Sequence, residues 1–181
     1  MEVKKTKIEG LLLIKPNVFK DSRGFFLESF NSKKYKNILG EVSFFQDNLS
    51  HSMKNVLRGI HFQTPPFGQG KLVQVVQGEV LDVVVDLRRN SKTFGQHESF
   101  LLNEKNKNQL WIPEGFGHAF LSKENNTIFS YKCSNYYSSN HEATLLWNDP
   151  QLKIDWGIEN PILSQKDKEG KLLNQMQTYF K

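Results

Sequence analysis

Between Ser43 and Trp147 the chain is written in strand-length runs broken by turn residues, and this rhythm restricts the fold more than any other feature. Residues 71–77 form one such run, Gln77-Gly78-Glu79 reads as a turn, and residues 80–87 read as the hairpin partner of the first run. In that partner Asp82, Val84 and Asp86 share one face, and Leu81, Val83, Val85 and Leu87 share the other. The reason is that successive side chains on a strand point to opposite sides. An acidic face opposite an apolar one describes a sheet packed on one side and turned to a polar cavity or to solvent on the other. Further runs follow at 97–102, 109–113, 118–123, 127–133 and 143–147. Many short strands with turn signals at such spacing predict a sandwich or barrel.

Ahead of this region, residues 11–15 read as an opening strand closed by Pro16, Asp21-Ser22-Arg23-Gly24 as a turn, and residues 25–30 as a second strand. Asn31-Ser32 can cap a short helix running through Leu39, with Gly40 as its stop. The tail beyond Asn148 is polar, with a helical pattern over 171–180. No repeat, linker or low-complexity segment interrupts the 181 residues, so one domain over 1–181 is expected, all-β with short peripheral helices.

Composition narrows the class. Hydrophobic residues make up 38%, mean hydropathy is −0.54, and no apolar run approaches the roughly 20 residues of a membrane span. No apolar stretch follows Met1-Glu2-Val3-Lys4-Lys5, so no secretory signal is visible. A single cysteine, Cys133, excludes an internal disulfide framework and fits a reducing cytoplasm. The net charge of +5 comes from lysines in small groups (Lys4-Lys5-Lys7, Lys33-Lys34-Lys36, Lys105-Lys107) with no arginine-rich stripe. That pattern describes solvated faces, not a nucleic-acid or membrane surface, and leaves only a mild bias toward an anionic ligand.

The stretch Val56-Leu57-Arg58-Gly59-Ile60-His61-Phe62-Gln63 carries more than a core requires, because an imidazole sits in the middle of an apolar strand. Gln69-Gly70-Lys71 then opens the next strand with a cation at its mouth. His51, His97 and His141 lie in polar surroundings and read as structural or solvated. His118 ends Pro113-Glu114-Gly115-Phe116-Gly117-His118, a Pro-x-Gly-x-x-His spacing that, with Gly78, is the pattern of a cupin-like double-stranded β-helix or jelly roll. Many such barrels hold a transition metal through His-x-His, a Glu and a later His. Here His61-Phe62-Gln63 gives His-x-Gln, which leaves too few ligands for a divalent metal, so neither metal nor cofactor is expected.

A cavity holding a histidine, a lysine, tyrosines and carboxylates has the parts for proton transfer beside a carbonyl. The enolate that results needs a nearby cation or donor, and imidazole titrates in the right range to be the base. A carboxylate on its far nitrogen would hold the tautomer and raise the basicity. Cys133 shares a strand face with Tyr131 and reads as a packed core thiol. Asp82 is polar in a cavity-facing register and reads as support.

Several long segments, in order over nearly the whole chain, resemble the dTDP-4-dehydrorhamnose 3,5-epimerase family: FKDSRGFFLESFN (19–31), FQDNLSHS (45–52), NVLRGIHFQ (55–63), GQGKLVQVVQGEVLDVVVDLRRNSKTFGQ (68–96), LWIPEGFGHAF (110–120), YKCSNYYS (131–138), LLWNDP (145–150) and LSQKD (163–167). The resemblance implies a homodimeric, metal-free cupin fold acting on a nucleotide-diphosphate 4-keto-6-deoxy sugar, for surface polysaccharide sugar biosynthesis. By position it makes His61 the general base, Asp167 its orienting carboxylate, Tyr131 the acid on the opposite face and Lys71 the cation near the enolate oxygen. It makes His118, Arg58, Gln63, Glu142 and Lys166 substrate contacts. Arg23, Glu28, Gln46 and Asn48 would hold the nucleotide end, and Tyr137 would stack on the base.

Arg58 and His61, three apart, would face opposite sides of a regular strand, so a bulge or twist near Gly59 is required if both line the cavity. The chain departs from the family pattern at Gln74, where a basic residue is common, at Gly117-His118-Ala119 in place of Ala-His-Gly, and in the loop Thr64-Pro65-Pro66-Phe67. The same motifs also suit a GDP-linked 4-keto sugar such as a heptose, inversion at carbon 3 alone, or a non-catalytic cupin that binds sugar nucleotides.

Overall fold

The computed structural model describes residues 1–177, 179 and 180. Its strands are β1 (Glu2–Lys5), β2 (Leu12–Lys15), β3 (Val18–Asp21), β4 (Gly24–Leu27), β5 (Gln46–Ser52), β6 (Leu57–Gln63), β7 (Lys71–Gln77), β8 (Glu79–Asp86), β9 (His97–Asn103), β10 (Gln109–Ile112), β11 (Phe116–Ser122), β12 (Thr127–Cys133) and β13 (Glu142–Thr144). Two short helices accompany them, α1 (Ser32–Leu39) and α2 (Gln165–Lys168). One sheet has the order β1-β2-β10-β7-β12-β5, a second has β13-β6-β11-β8-β9, and β3-β4 is a separate hairpin. From β5 onward every strand except β9 lies in the sheet opposite its predecessor. That alternation is the winding of a cupin-like jelly roll.

The turn at Gly78 therefore does not close a hairpin between residues 71–77 and 80–87, as the sequence suggested. It carries the chain from one sheet to the other. Both edges of β7 are taken by β10 and β12, and both edges of β8 by β11 and β9. Alternation along a strand gives its faces but not its neighbours, so this crossing was invisible in the sequence. Gly78 has φ +81°, and a Cβ there would lie 2.6 Å from Thr127 Oγ1.

Three apolar layers follow from the faces. Val73 and Val75 of β7, Val80 and Val84 of β8, Phe116 and Phe120 of β11 and Phe129 of β12 fill the space between the sheets. The other face of β8, with Val83 and Val85, packs with Leu57, Ile60 and Phe62 under the C-terminal residues Leu152, Trp156 and Leu173. On the outer side of the larger sheet, Leu72, Trp111 and Ile14 are covered by Tyr35 of α1. The helix itself matches its sequence signals: Asn31 caps it by accepting from the Lys34 N–H at 3.1 Å, and Gly40 ends it at φ +79°.

The tail departs from expectation. In place of a helix over 171–180 the chain makes a single 3-10 turn at Leu173–Gln175, while Lys171 and Phe180 bridge Leu145 and Arg88; Thr178 lies outside the described residues. Leu173, Met176 and Phe180 all reach the outer core of the smaller sheet, and their spacing imitates a helical stripe. Isolated backbone bridges to Leu145 and Arg88 decide otherwise. β1 and β3 gave no signal, being short and exposed.

The bulge required near Gly59 is present. His118 pairs with His61 and Phe120 with Arg58, so two steps along β11 match three along β6. Leu57, Ile60 and Phe62 thereby keep to the outer core while Arg58 and His61 both line the cavity. Gly59 sits at φ +132°, and a Cβ there would lie 2.3 Å from Ala119 Cβ and 2.7 Å from the His118 carbonyl oxygen. Gly59→Ala is expected to cost about 3 kcal/mol of stability from overpacking and backbone strain together. Urea unfolding checks this; a loss under about 1 kcal/mol would mean the bulge tolerates a side chain.

Candidate active site

A cavity of about 620 Å³ opens between the sheets. His61, Tyr131, Asp167 and Lys71 line it, as do Gln46, Asn48, Arg58, Gln63, His118, Tyr137, Glu142 and Lys166. Surface hollows of about 830 and 810 Å³ lie near Lys105 and along 147–160, but neither is lined by a histidine or a tyrosine. Two expected residues are absent from the cavity. Arg23 pairs with Asp21 at 2.6 Å, on the β3-β4 hairpin, and Glu28 pairs with Lys34 at 2.5 Å.

His61 Nε2 lies 2.5 Å from Asp167 Oδ1. Asp167 is buried, and burial pushes its carboxyl up, yet hydrogen bonds from His61, Ser164 and the Gly59 backbone outweigh this and hold it below its usual value. An ionised carboxylate only accepts, so the shared proton sits on Nε2 and Nδ1 keeps the lone pair. Ser164 Oγ donates to Asp167 Oδ2 at 2.7 Å and accepts from its N–H at 3.2 Å, capping α2. Sequence reasoning missed Ser164, although Ser three residues ahead of Asp is a capping signal in LSQKD.

Tyr131 faces this dyad from the other sheet. It lines the same cavity on β12, beside Phe129, whose ring lies 6.1 Å from it and 6.0 Å from His118 of β11. Burial raises the Tyr131 phenol, and the nearby Cys133 and Glu142 add to this against Arg58. The proton therefore stays on Tyr131 at neutral pH. Lys71, at the mouth of β7, is lowered by burial against the pull of Cys133, Asp82 and Glu142. Cys133 is buried, as expected of a core thiol, but it also lines the cavity, where Asn48 Nδ2 donates to its Sγ at 3.5 Å.

With this arrangement in view, comparison with known proteins is decisive. The model of the family described as dTDP-4-dehydrorhamnose 3,5-epimerase matches residues 5–175. The chain belongs to that family. It is 50% identical over 171 residues to a dTDP-4-dehydrorhamnose 3,5-epimerase of Shigella flexneri, covering 94% of each chain. It is 49% identical over 177 residues to one of Salmonella typhimurium, covering 97% of each. Among solved structures, a dTDP-6-deoxy-D-glucose-3,5-epimerase of Legionella pneumophila Philadelphia 1, in complex with dTDP-4-keto-L-rhamnose, superposes with TM-score 0.94 at 46% identity, covering 97% of this chain and 94% of that one.

For a member of this epimerase family the remaining cavity residues form an ordered lining. His118, cross-strand partner of His61, gives its Nε2 to Asp82 at 2.8 Å; Asp82 is fully buried, which is the support its register suggested. Arg58 donates to Ser52 Oγ and to the His51 carbonyl, both at 3.1 Å. Glu142 joins two elements, accepting from Lys166 at 2.7 Å and from the Tyr137 hydroxyl at 3.2 Å. Among the described residues no three His, Cys, Asp or Glu side chains come together as a metal site, and no helix is long and apolar enough to cross a membrane.

Burial lowers the His61 imidazole below its ordinary value, Asp167 pulls it up, and Lys166 and Lys71 push it down. In the role of base that the family resemblance gives it, His61 must be neutral to act, so the acid limb of kcat/KM is expected below pH 6.5, activity falling as pH drops through the His61 pKa. Lys166→Met removes a cation that lowers this pKa and leaves Glu142 unpaired nearby, so the limb should move to higher pH. A pH–rate profile of the variant checks this, with the exposed Lys168→Met as control; an unmoved limb would detach Lys166 from the base.

Proposed function

We propose that this protein inverts carbons 3 and 5 of a dTDP-linked 4-keto-6-deoxy sugar through enolate intermediates, in the biosynthesis of a surface polysaccharide sugar. The observation that carries this is the pairing of a carboxylate-held histidine on one sheet with a protonated tyrosine on the facing sheet. Epimerisation needs a proton removed from one side of a carbon and another delivered from the other side. His61 Nδ1 takes the proton made acidic by the adjacent ketone, while Asp167 steadies the imidazolium that forms. The charge moves to the ketone oxygen, where the Lys71 ammonium stabilises the enolate. Tyr131 returns a proton from the opposite side, and the low dielectric that raises its pKa keeps that proton available. Exchange with solvent then returns His61 to its neutral form and Tyr131 to its protonated form, and the same groups invert the other carbon when the ring presents its C–H. Arg58, His118, Glu142 and Lys166 bind the substrate around this centre, and no metal or cofactor enters a step. The dTDP preference is supported by what the relatives are named for; Gln46 and Asn48 hold the nucleotide end and Tyr137 stacks on the base.

A homodimer accounts for the two residues found outside the cavity. The β3-β4 hairpin exposes Phe19, Phe25 and Phe26 at 62%, 55% and 69%, a large apolar area for so small an element. Seated on a second copy, this hairpin carries Arg23, with Glu28 just beyond it, to the nucleotide end of the partner's cavity. Nucleic acid has no part in this reading, and the cytoplasm, where sugar nucleotides are made, is the proposed site of action.

Proton NMR in deuterated water should show deuterium entering carbons 3 and 5 of dTDP-4-keto-6-deoxyglucose, with GDP-linked 4-keto sugars unchanged; no incorporation into any such substrate would sink the proposal. His61→Asn should slow turnover by at least about a hundredfold. Tyr131→Phe should retain exchange while inversion falls, whereas wild-type inversion would remove Tyr131 as the acid. For the dimer, Arg23→Ala and His61→Asn should each be impaired alone, and mixing them should restore activity, because one mixed site then has both an intact cavity and an intact hairpin. A mixture no better than its components would place Arg23 outside the partner's site.

A further inference from the structure

We infer that Gln63 is a positioning residue that seats the ring of Tyr137 at the nucleotide end of the cavity by gripping the backbone on both sides of it. Gln63 ends β6, two residues after His61, and is only 4% exposed. Its Nε2 donates to the Phe67 carbonyl at 2.8 Å and to the Tyr136 carbonyl at 3.0 Å, and its Oε1 accepts from the Ser138 N–H at 2.6 Å. A glutamine amide has two donor hydrogens, so none remains for a ligand. In this reading Gln63, which the family resemblance makes a substrate contact, acts on the substrate through Tyr137.

The residue between the two gripped positions is Tyr137. Its own N–H donates to Gln46 Oε1 at 2.9 Å, from β5 in the opposite sheet. The two peptide units that flank Tyr137 are thus held by side-chain amides from both sheets. The ring they carry is half exposed, and among the described residues its hydroxyl bonds only to Glu142. With so little side-chain packing, the place of the ring is set by its backbone. The third bond, to Phe67, ties the same clamp to the 64–67 loop, which Asn135 also holds through the Pro66 carbonyl at 3.2 Å. No other side chain supplies two donors and an acceptor at this reach. Glutamate keeps the acceptor for Ser138 and turns a carboxylate oxygen toward two carbonyls; methionine fills the space and makes none of the three bonds.

This inference rests on the reading in which Tyr137 stacks on the base, and a double-mutant cycle separates the two. The dissociation constant of dTDP is measured calorimetrically for the wild type, Gln63→Met, Tyr137→Ala and the double variant, with circular dichroism confirming the fold. Gln63→Met should weaken dTDP about tenfold, the worth of roughly one net hydrogen bond, and should weaken it no further once Tyr137 is alanine. In steady-state kinetics its KM should rise by a larger factor than kcat falls. Unchanged dTDP affinity in Gln63→Met, or an equal loss with and without the Tyr137 ring, would overturn the clamp while leaving Tyr137 in place. If Tyr137→Ala alone leaves dTDP affinity unchanged, the stacking role fails and the clamp with it. Should Gln63→Met not fold, the same cycle is run with Gln63→Glu, which loses both donor bonds but still accepts from the Ser138 N–H.

Discussion

One extra residue in β6 governs the site. A regular strand would send Arg58 and His61 to opposite faces, and one of them would lie in the outer apolar core among Leu57, Ile60 and Phe62. The bulge opposite β11 lets all three apolar side chains face outward and both basic ones face the cavity. Only glycine fits there, because Ala119 and the His118 carbonyl occupy the space a side chain would need. Every later feature of the active site, from the His61–Asp167 contact to the pairing of His118 beside His61, presupposes that displacement.

The cavity then tunes its groups with one physical effect. Removal from water disfavours charge, which lowers the pKa of His61 and Lys71 and raises that of Tyr131. The same environment therefore leaves the imidazole neutral and the phenol protonated, facing each other from two sheets. Asp167 is the exception, held ionised by three hydrogen bonds that outweigh its burial. It can be so because α2 brings Ser164 and the carboxylate to the rim of β6, where the Gly59 amide is also within reach.

Much of this was legible in the residues. Alternation in 80–87 showed which side of β8 is acidic, and Asp82 lies on that side, fully buried against the cavity-lining His118. The Asn31 cap and the Gly40 stop gave α1 to the residue. The need for a bulge followed from counting between Arg58 and His61. The failures share a cause. The hairpin expected across Gly78 and the helix expected over 171–180 both depended on which partner a segment finds, and in each case a distant segment won: β10 and β12 took the edges of β7, while Leu145 and Arg88 took the tail. Ser164 and the amide contacts of Gln63 were missed because their partners are fixed by loop conformation.

By itself the sequence determined the all-β class, the faces of its strands, the kind of chemistry its polar residues suit and, through its long motifs, the family. These are properties of local pattern and of residue type. Only the tertiary structure decided that Arg23 and Glu28 stand outside the cavity, that Gln63 is taken up by backbone groups, and that His61 and Tyr131 lie on facing sheets. Those facts depend on contacts between segments up to 106 residues apart, as between His61 and Asp167. Packing and hydrogen-bond geometry select such contacts, and no periodicity along the chain encodes them.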